Sequence, residues 1–109
     1  MSEGGFHHPD RDAAYDEARL AKRNLWSSPH LVCDYYGLLP GQAQKAHAHA
    51  GNDKLYCVLR GRVEVQLGET RRELGPGEVA VAPAGVVHGL RNPGPEPALV
   101  LTVMAPPPA

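Results

Sequence analysis

Three histidines carry most of the chemistry that this sequence can offer. His47 and His49 lie one residue apart in the run 41–61, GQAQKAHAHAGNDKLYCVLRG, and His88 stands in the run 77–92, GEVAVAPAGVVHGLRN. Residues i and i+2 of a β-strand leave from the same face, so a strand through 47–49 aims both imidazoles one way. Neutral imidazole is the commonest protein ligand for divalent transition metals. Two on one face make half a site. His88 is the candidate third ligand, because the turn Pro83–Ala84–Gly85 just before it can swing its strand alongside. Three protein ligands leave coordination positions open for water or substrate, as catalytic metal sites require. The pair His7–His8 reads as part of a solvated polar tail, and His30, in a Ser-Pro context, as a surface residue.

Positioning such a site needs short strands and tight turns, and the chain is patterned for both. Gly 12 and Pro 11 among 109 residues are high, and they are spread along the chain without a period. The clearest alternation is Val63, Val65 and Leu67 against Arg62, Glu64 and Gln66, a half-buried strand. Gly68–Glu69 turns it into a return strand over 70–74. Further strands are expected over 31–38, 42–49, 55–59, 79–81, 86–90 and 99–104, with turns at Pro40–Gly41, Gly51–Asp53, Gly61 and Gly75–Gly77. Residues 11–26 suggest a loose turn or short helix, with Asp12 as a cap, followed by an edge strand. The domain is expected over 19–105, with a flexible arm at 1–18 and a Pro-rich tail at 106–109 that lies on the surface or frays. Eight or nine short strands with turns every eight to twelve residues imply an all-β sandwich or barrel.

Composition narrows the function classes. The length implies one domain, and 42% hydrophobic residues suffice for a core. A net charge of −1 offers no basic footprint for nucleic acid. No apolar run is long enough to span a bilayer, and the N-terminal stretch has no apolar signal core, so a cytoplasmic protein with no nucleic-acid or membrane partner is expected. Two cysteines, Cys33 and Cys57, outside any CxxC pair, are expected as free thiols in a reducing compartment.

The spacing of these residues resembles a known family. Gly41–x5–His47–x–His49, a turn, then Gly61 looks like the first motif of the cupins, and Gly77–x5–Pro83–x–Gly85–x2–His88–x3–Asn92 matches the second in full. The resemblance implies a jelly-roll type antiparallel β-barrel, usually dimeric, often with one metal in its mouth. A homodimer also suits the strand pattern, because a small open barrel leaves edges that a two-fold partner can cover.

One position departs from the motif. Where the first motif carries a glutamate ligand, seven residues before Gly61, this chain has Lys54. An ammonium repels a divalent cation, so Lys54 is not a fourth ligand. Asp53 is the neighbouring candidate, provided the loop bends or bulges to bring it in. Lys54 facing the cavity would pair with an anionic substrate or with Asp53. Tyr56, on the same face, is a candidate hydrogen-bonding partner for a ligand, and Gln42, with Gln44, Val81 and Leu90, is a candidate cavity wall. Trp26, Leu31 and Tyr35 are candidates to cover the barrel or a partner subunit.

Three readings of the site follow: three histidines on one divalent transition metal ion (iron, zinc, nickel or manganese), a four-ligand site completed by Asp53, or a metal-free cavity for an organic ligand. The corresponding functions are a three-histidine metal-dependent dioxygenase or isomerase, or else a non-catalytic binding or sensor module for a small molecule.

Overall fold

The structure, a computed structural model, describes residues 4–108. Among the described residues, nine strands form two antiparallel sheets. They are β1 (Ala21–Ser27), β2 (Val32–Leu38), β3 (Ala43–His47), β4 (Asp53–Arg60), β5 (Val63–Leu67), β6 (Thr70–Leu74), β7 (Val79–Ala82), β8 (His88–Arg91) and β9 (Ala98–Ala105). The five-stranded sheet runs β1-β2-β9-β4-β7 and the four-stranded sheet β3-β8-β5-β6. This is an all-β jelly-roll barrel. No helix among the described residues is long and apolar enough to cross a membrane.

The core lies between the sheets and follows from period-2 alternation. Tyr36 and Leu38 of β2, Tyr56 and Val58 of β4, and Ala98 and Val100 of β9 face Val63 and Val65 of β5 and Leu90 of β8. In β4 the alternation runs Lys54, Tyr56, Val58 inward and Leu55, Cys57 outward. In β7 the inward residues are Ala80 and Ala82, while Val79 and Val81 are half exposed on the outer face. Val81 is therefore turned away from the barrel interior and does not line the cavity that His47 and His49 share. Valine and alanine alternate there, so hydrophobicity alone does not set the phase; the crowded interior takes the smaller residue.

Turn chemistry closes the strands. Val86 N–H bonds the Pro83 carbonyl at 3.0 Å, with Gly85 at φ +85° in the third position. That is a type II turn, whose third residue needs the left-handed conformation glycine reaches freely. The same bond pattern recurs over 39–42 and 75–78, where Pro-Gly occupies the centre of the turn.

The N-terminal segment read as an arm lies on the barrel over its described part. Gln42 Nε2 donates to the Asp16 carbonyl at 2.7 Å, and Arg60 pairs with Asp10. A single helical turn, α1 (Pro9–Asp12), starts at His8, whose Nδ1 caps Asp10 N–H. Asp12 ends this turn, accepting from His8 N–H at 2.9 Å, rather than starting it. Residues 106–108 turn back toward the cavity mouth: Asn52 Nδ2 donates to the Pro106 carbonyl, and Pro107 and Pro108 line the rim. Residue 109 lies outside the described residues.

Asn92, the last residue of the second motif, is 1% exposed and fully engaged. Its Nδ2 donates to the carbonyls of Leu38 and Glu96, both at 2.8 Å, and its Oδ1 accepts from Gly94 N–H at 2.7 Å. Asn92→Ala leaves these groups unpaired and is expected to cost about 2–3 kcal/mol of stability. Urea unfolding checks this; an unchanged midpoint would show that the three bonds carry no net stability.

Candidate metal centre

His47 and His88 are direct cross-strand partners on β3 and β8. The pairing is reached across a bulge: Lys45 and Ala46 fall between the paired residues Gln44 and His47. The bulged backbone presses so closely on Gly89 that a Cβ there would sit 2.9 Å from the Gln44 carbonyl oxygen, which only glycine tolerates. His49 follows in the loop after β3. Its carbonyl accepts Gly85 N–H at 2.8 Å, tying this loop to the 83–86 turn. The ring centroids are 4.7 Å apart for His47 and His49, 4.5 Å for His47 and His88, and 5.6 Å for His49 and His88. One nitrogen from each falls within 4.8 Å of the others.

Backbone carbonyls set the tautomers. His47 Nδ1 lies 2.7 Å from the Lys45 carbonyl and His88 Nδ1 3.0 Å from the Val86 carbonyl. A carbonyl only accepts, so in each ring Nδ1 carries the proton and donates, and Nε2 keeps a free lone pair. This is how metal-ligating histidines are commonly oriented. His88 Nε2 is the one buried side-chain nitrogen or oxygen among the described residues with no hydrogen-bond partner. An unpartnered lone pair beside two more imidazoles is what a divalent cation would satisfy, so the residues fit a metal ion.

Electrostatics favour the ligating form. Burial holds His88 below the usual histidine range; the bond to Val86 opposes this, while His47, Lys54 and His49 push the same way as burial. His49 is lowered by burial and then by His47 and Lys54. Neutral imidazoles at neutral pH are the form that binds metal.

Asp53, considered above as a fourth ligand, is elsewhere. It is exposed, and its Oδ1 accepts Ala84 N–H at 2.8 Å. It pins the 83–86 turn from the far side, and the three-histidine group forms without it. Strand β4 begins at Asp53 and runs regularly through Lys54, so no bulge turns the carboxylate inward. Gln42 is also spent on structure: its Oε1 accepts Leu39 N–H and its Nε2 holds Asp16.

Lys54 does face inward, 4% exposed, with its Nζ donating to the Tyr36 hydroxyl at 2.9 Å. Burial lowers its pKa from the usual lysine value, partly opposed by Asp34. It shares a cavity of about 670 Å³ with His47 and His49. Tyr56 is buried behind it; its hydroxyl donates to Gln44 Oε1, and desolvation raises its pKa. Tyr36, Asp34 and Lys22 also line this cavity, though no motif in the sequence marks them. Alternation along β2 is the available signal for the first two, since Asp34 and Tyr36 share the inward phase with Leu38.

Solved structures share this architecture. A protein from Thermus thermophilus superposes with a TM-score of 0.91 at 47% identity, over 94% of this chain and 98% of that one. A Klebsiella pneumoniae protein with a double-stranded beta-helix domain gives 0.87 at 27%, over 95% and 91%. KdgF from Halomonas sp. gives 0.82 at 26%, over 96% of each chain. The family model described as "Cupin domain" matches residues 35–104, well over half of the sequence, and the chain belongs to that family, Cupin_2.

Proposed function

We propose that the chain holds one divalent transition metal ion on His47, His49 and His88 and presents it to a small molecule in the barrel cavity. The observation that carries this reading is the unpartnered His88 Nε2 beside two further imidazoles. When bound, such an ion supplies Lewis-acid or redox chemistry. The chain contributes three imidazoles, two of them oriented by backbone carbonyls, and, with Asp53 turned away, leaves coordination positions for a substrate. Dioxygenase or isomerase chemistry on a small molecule is the activity this arrangement supports best. Elemental analysis of protein purified without a nickel column or chelator tests it. About one equivalent of iron, zinc, nickel or manganese per chain is expected. No uptake, even after incubation with iron, zinc and manganese, would overturn it. One observation favours a metal-free binding module instead: the Lys54 ammonium faces the same cavity and repels a cation.

We also propose a homodimer formed through the outer face of the five-stranded sheet. Two cross-strand rows, Trp26–Cys33–Val103–Leu55–Val81 and Leu101–Cys57–Val79, cover it with apolar side chains, the second row continuing to the buried Tyr35 and the exposed Arg23. Val79 and Val81 are 50% and 52% exposed, and a continuous apolar face of this kind suits an isologous contact. Both free cysteines belong to it. Val81→Asp is expected to give a monomer in sedimentation velocity where the parent chain is a dimer; a monomeric parent chain would remove the proposal.

A further inference from the structure

The buried Lys54 ammonium has no counter-ion among the described residues. One of its N–H groups goes to the Tyr36 hydroxyl, and no carboxylate lies within salt-bridge distance of it among the described residues. Asp34 acts on it only at longer range, and Asn24 Nδ2 occupies Asp34 Oδ1 at 2.9 Å. A buried charge left without a partner is costly. The ammonium lines an open cavity, and the rim adds Lys22 and Lys45 against the single carboxylate of Asp34.

A second donor converges there. The Tyr36 oxygen accepts from Lys54 Nζ and from Gln44 Nε2, at 2.9 and 3.3 Å, and Gln44 Oε1 is taken by the Tyr56 hydroxyl. With this polarity the Tyr36 hydroxyl proton has no acceptor among the described residues. Its ring is flanked by two ammonium groups, Lys22 at 5.3 Å and Lys54 at 5.0 Å from the centroid. An N–H and an O–H, adjacent and without acceptors, match the two oxygens of a carboxylate. The lining beside them is apolar, with Val32 and Met104 in Lys54's own cross-strand row and Pro107 and Pro108 at the rim. It favours an organic anion over an inorganic one.

We propose that Lys54 and Tyr36 are the carboxylate-binding half of the cavity, taking a small organic carboxylate whose other end lies toward the three histidines. The proposal rests on reading the cavity as a small-molecule site, but it does not require the metal. The test titrates acetate, pyruvate, malonate and benzoate into the full chain, zinc-loaded and metal-free, by calorimetry in chloride-free buffer. Bound zinc is measured in parallel by competition with a chromophoric chelator. At least one carboxylate is expected to bind the parent chain. Lys54→Met is expected to weaken it on the order of 10- to 100-fold, and Tyr36→Phe on the order of 10-fold. Lys54→Met removes an uncompensated charge and keeps an unbranched side chain only one heavy atom shorter, so the fold is retained, and thermal melting verifies it. Equal affinity in Lys54→Met, or no binding of any of the four anions to the parent chain, overturns the proposal. One zinc per chain with carboxylate binding indifferent to Lys54 overturns it while leaving the metal site standing. Lysine-dependent carboxylate binding without zinc uptake supports it and overturns the metal reading instead.

Discussion

Replacing His88 by alanine is expected to abolish stoichiometric metal binding, whereas His30→Ala leaves it unchanged. His88 is 1% exposed, and its ring is held by the Val86 carbonyl so that Nε2 faces His47 and His49. Metal-binding free energies of about 10–16 kcal/mol are shared among a few ligands at structural zinc sites. Losing one ligand of three should therefore weaken binding by on the order of a thousand-fold or more. The measurement is zinc competition against a chromophoric chelator, with circular dichroism to follow the fold. Thermal melting gives an independent readout. Zinc should raise the melting temperature of the parent chain by mass action and leave His88→Ala unmoved. The metal-free variant loses a buried ring but also a buried unpaired nitrogen, and these oppose each other in stability. Unchanged zinc affinity would remove His88 from the site.

The histidine triad was legible because its signal is local: two residues at i and i+2, and a third placed by a turn whose residues are visible. The strands were legible where alternation was strong, as over Val63–Leu67, and the turns because proline and glycine mark them. Residues 79–82 show the limit. A sequence of valine and alanine has a period without a phase, and only the packed interior decides that Ala80 and Ala82 face inward. Asp53 and Gln42 show a second limit. Both are polar residues close in sequence to the ligands, yet the Ala84 amide claims one and the Asp16 carbonyl the other. Those partners lie 31 and 26 residues away along the chain. The carbonyls of Lys45 and Val86 that orient two of the imidazoles were beyond reach for a similar reason. A backbone oxygen has no residue type to read, although each lies two positions before its histidine.

Lys54→Glu is expected to shift metal affinity in the opposite direction from His88→Ala. The Lys54 side chain enters the cavity beside His47 and His49, and its charge already depresses the proton affinity of His49 and His88. A cation that disfavours protonation of these rings disfavours a divalent metal there by the same repulsion, with twice the charge on the incoming ion. Glutamate removes that repulsion and adds a carboxylate oxygen, a hard ligand accepted by zinc, iron and manganese alike. Tyr36 is in place to donate to the new carboxylate as it now accepts from the ammonium. The combined effect should tighten zinc binding by about 100-fold or more, on the scale of one added ligand. The cost falls on the metal-free protein, where a buried carboxylate without a cation destabilises the fold. Lys54→Glu should therefore melt lower than the parent chain without zinc and gain more from its addition. Lys54→Met separates the two contributions, since it removes the repulsion and supplies no ligand. Its zinc affinity should fall between those of the parent chain and Lys54→Glu. If all three bind zinc equally, the ammonium does not act on the histidine site. The cation at position 54 would then be an anchor for ligand alone, with no part in setting how tightly the barrel holds its metal.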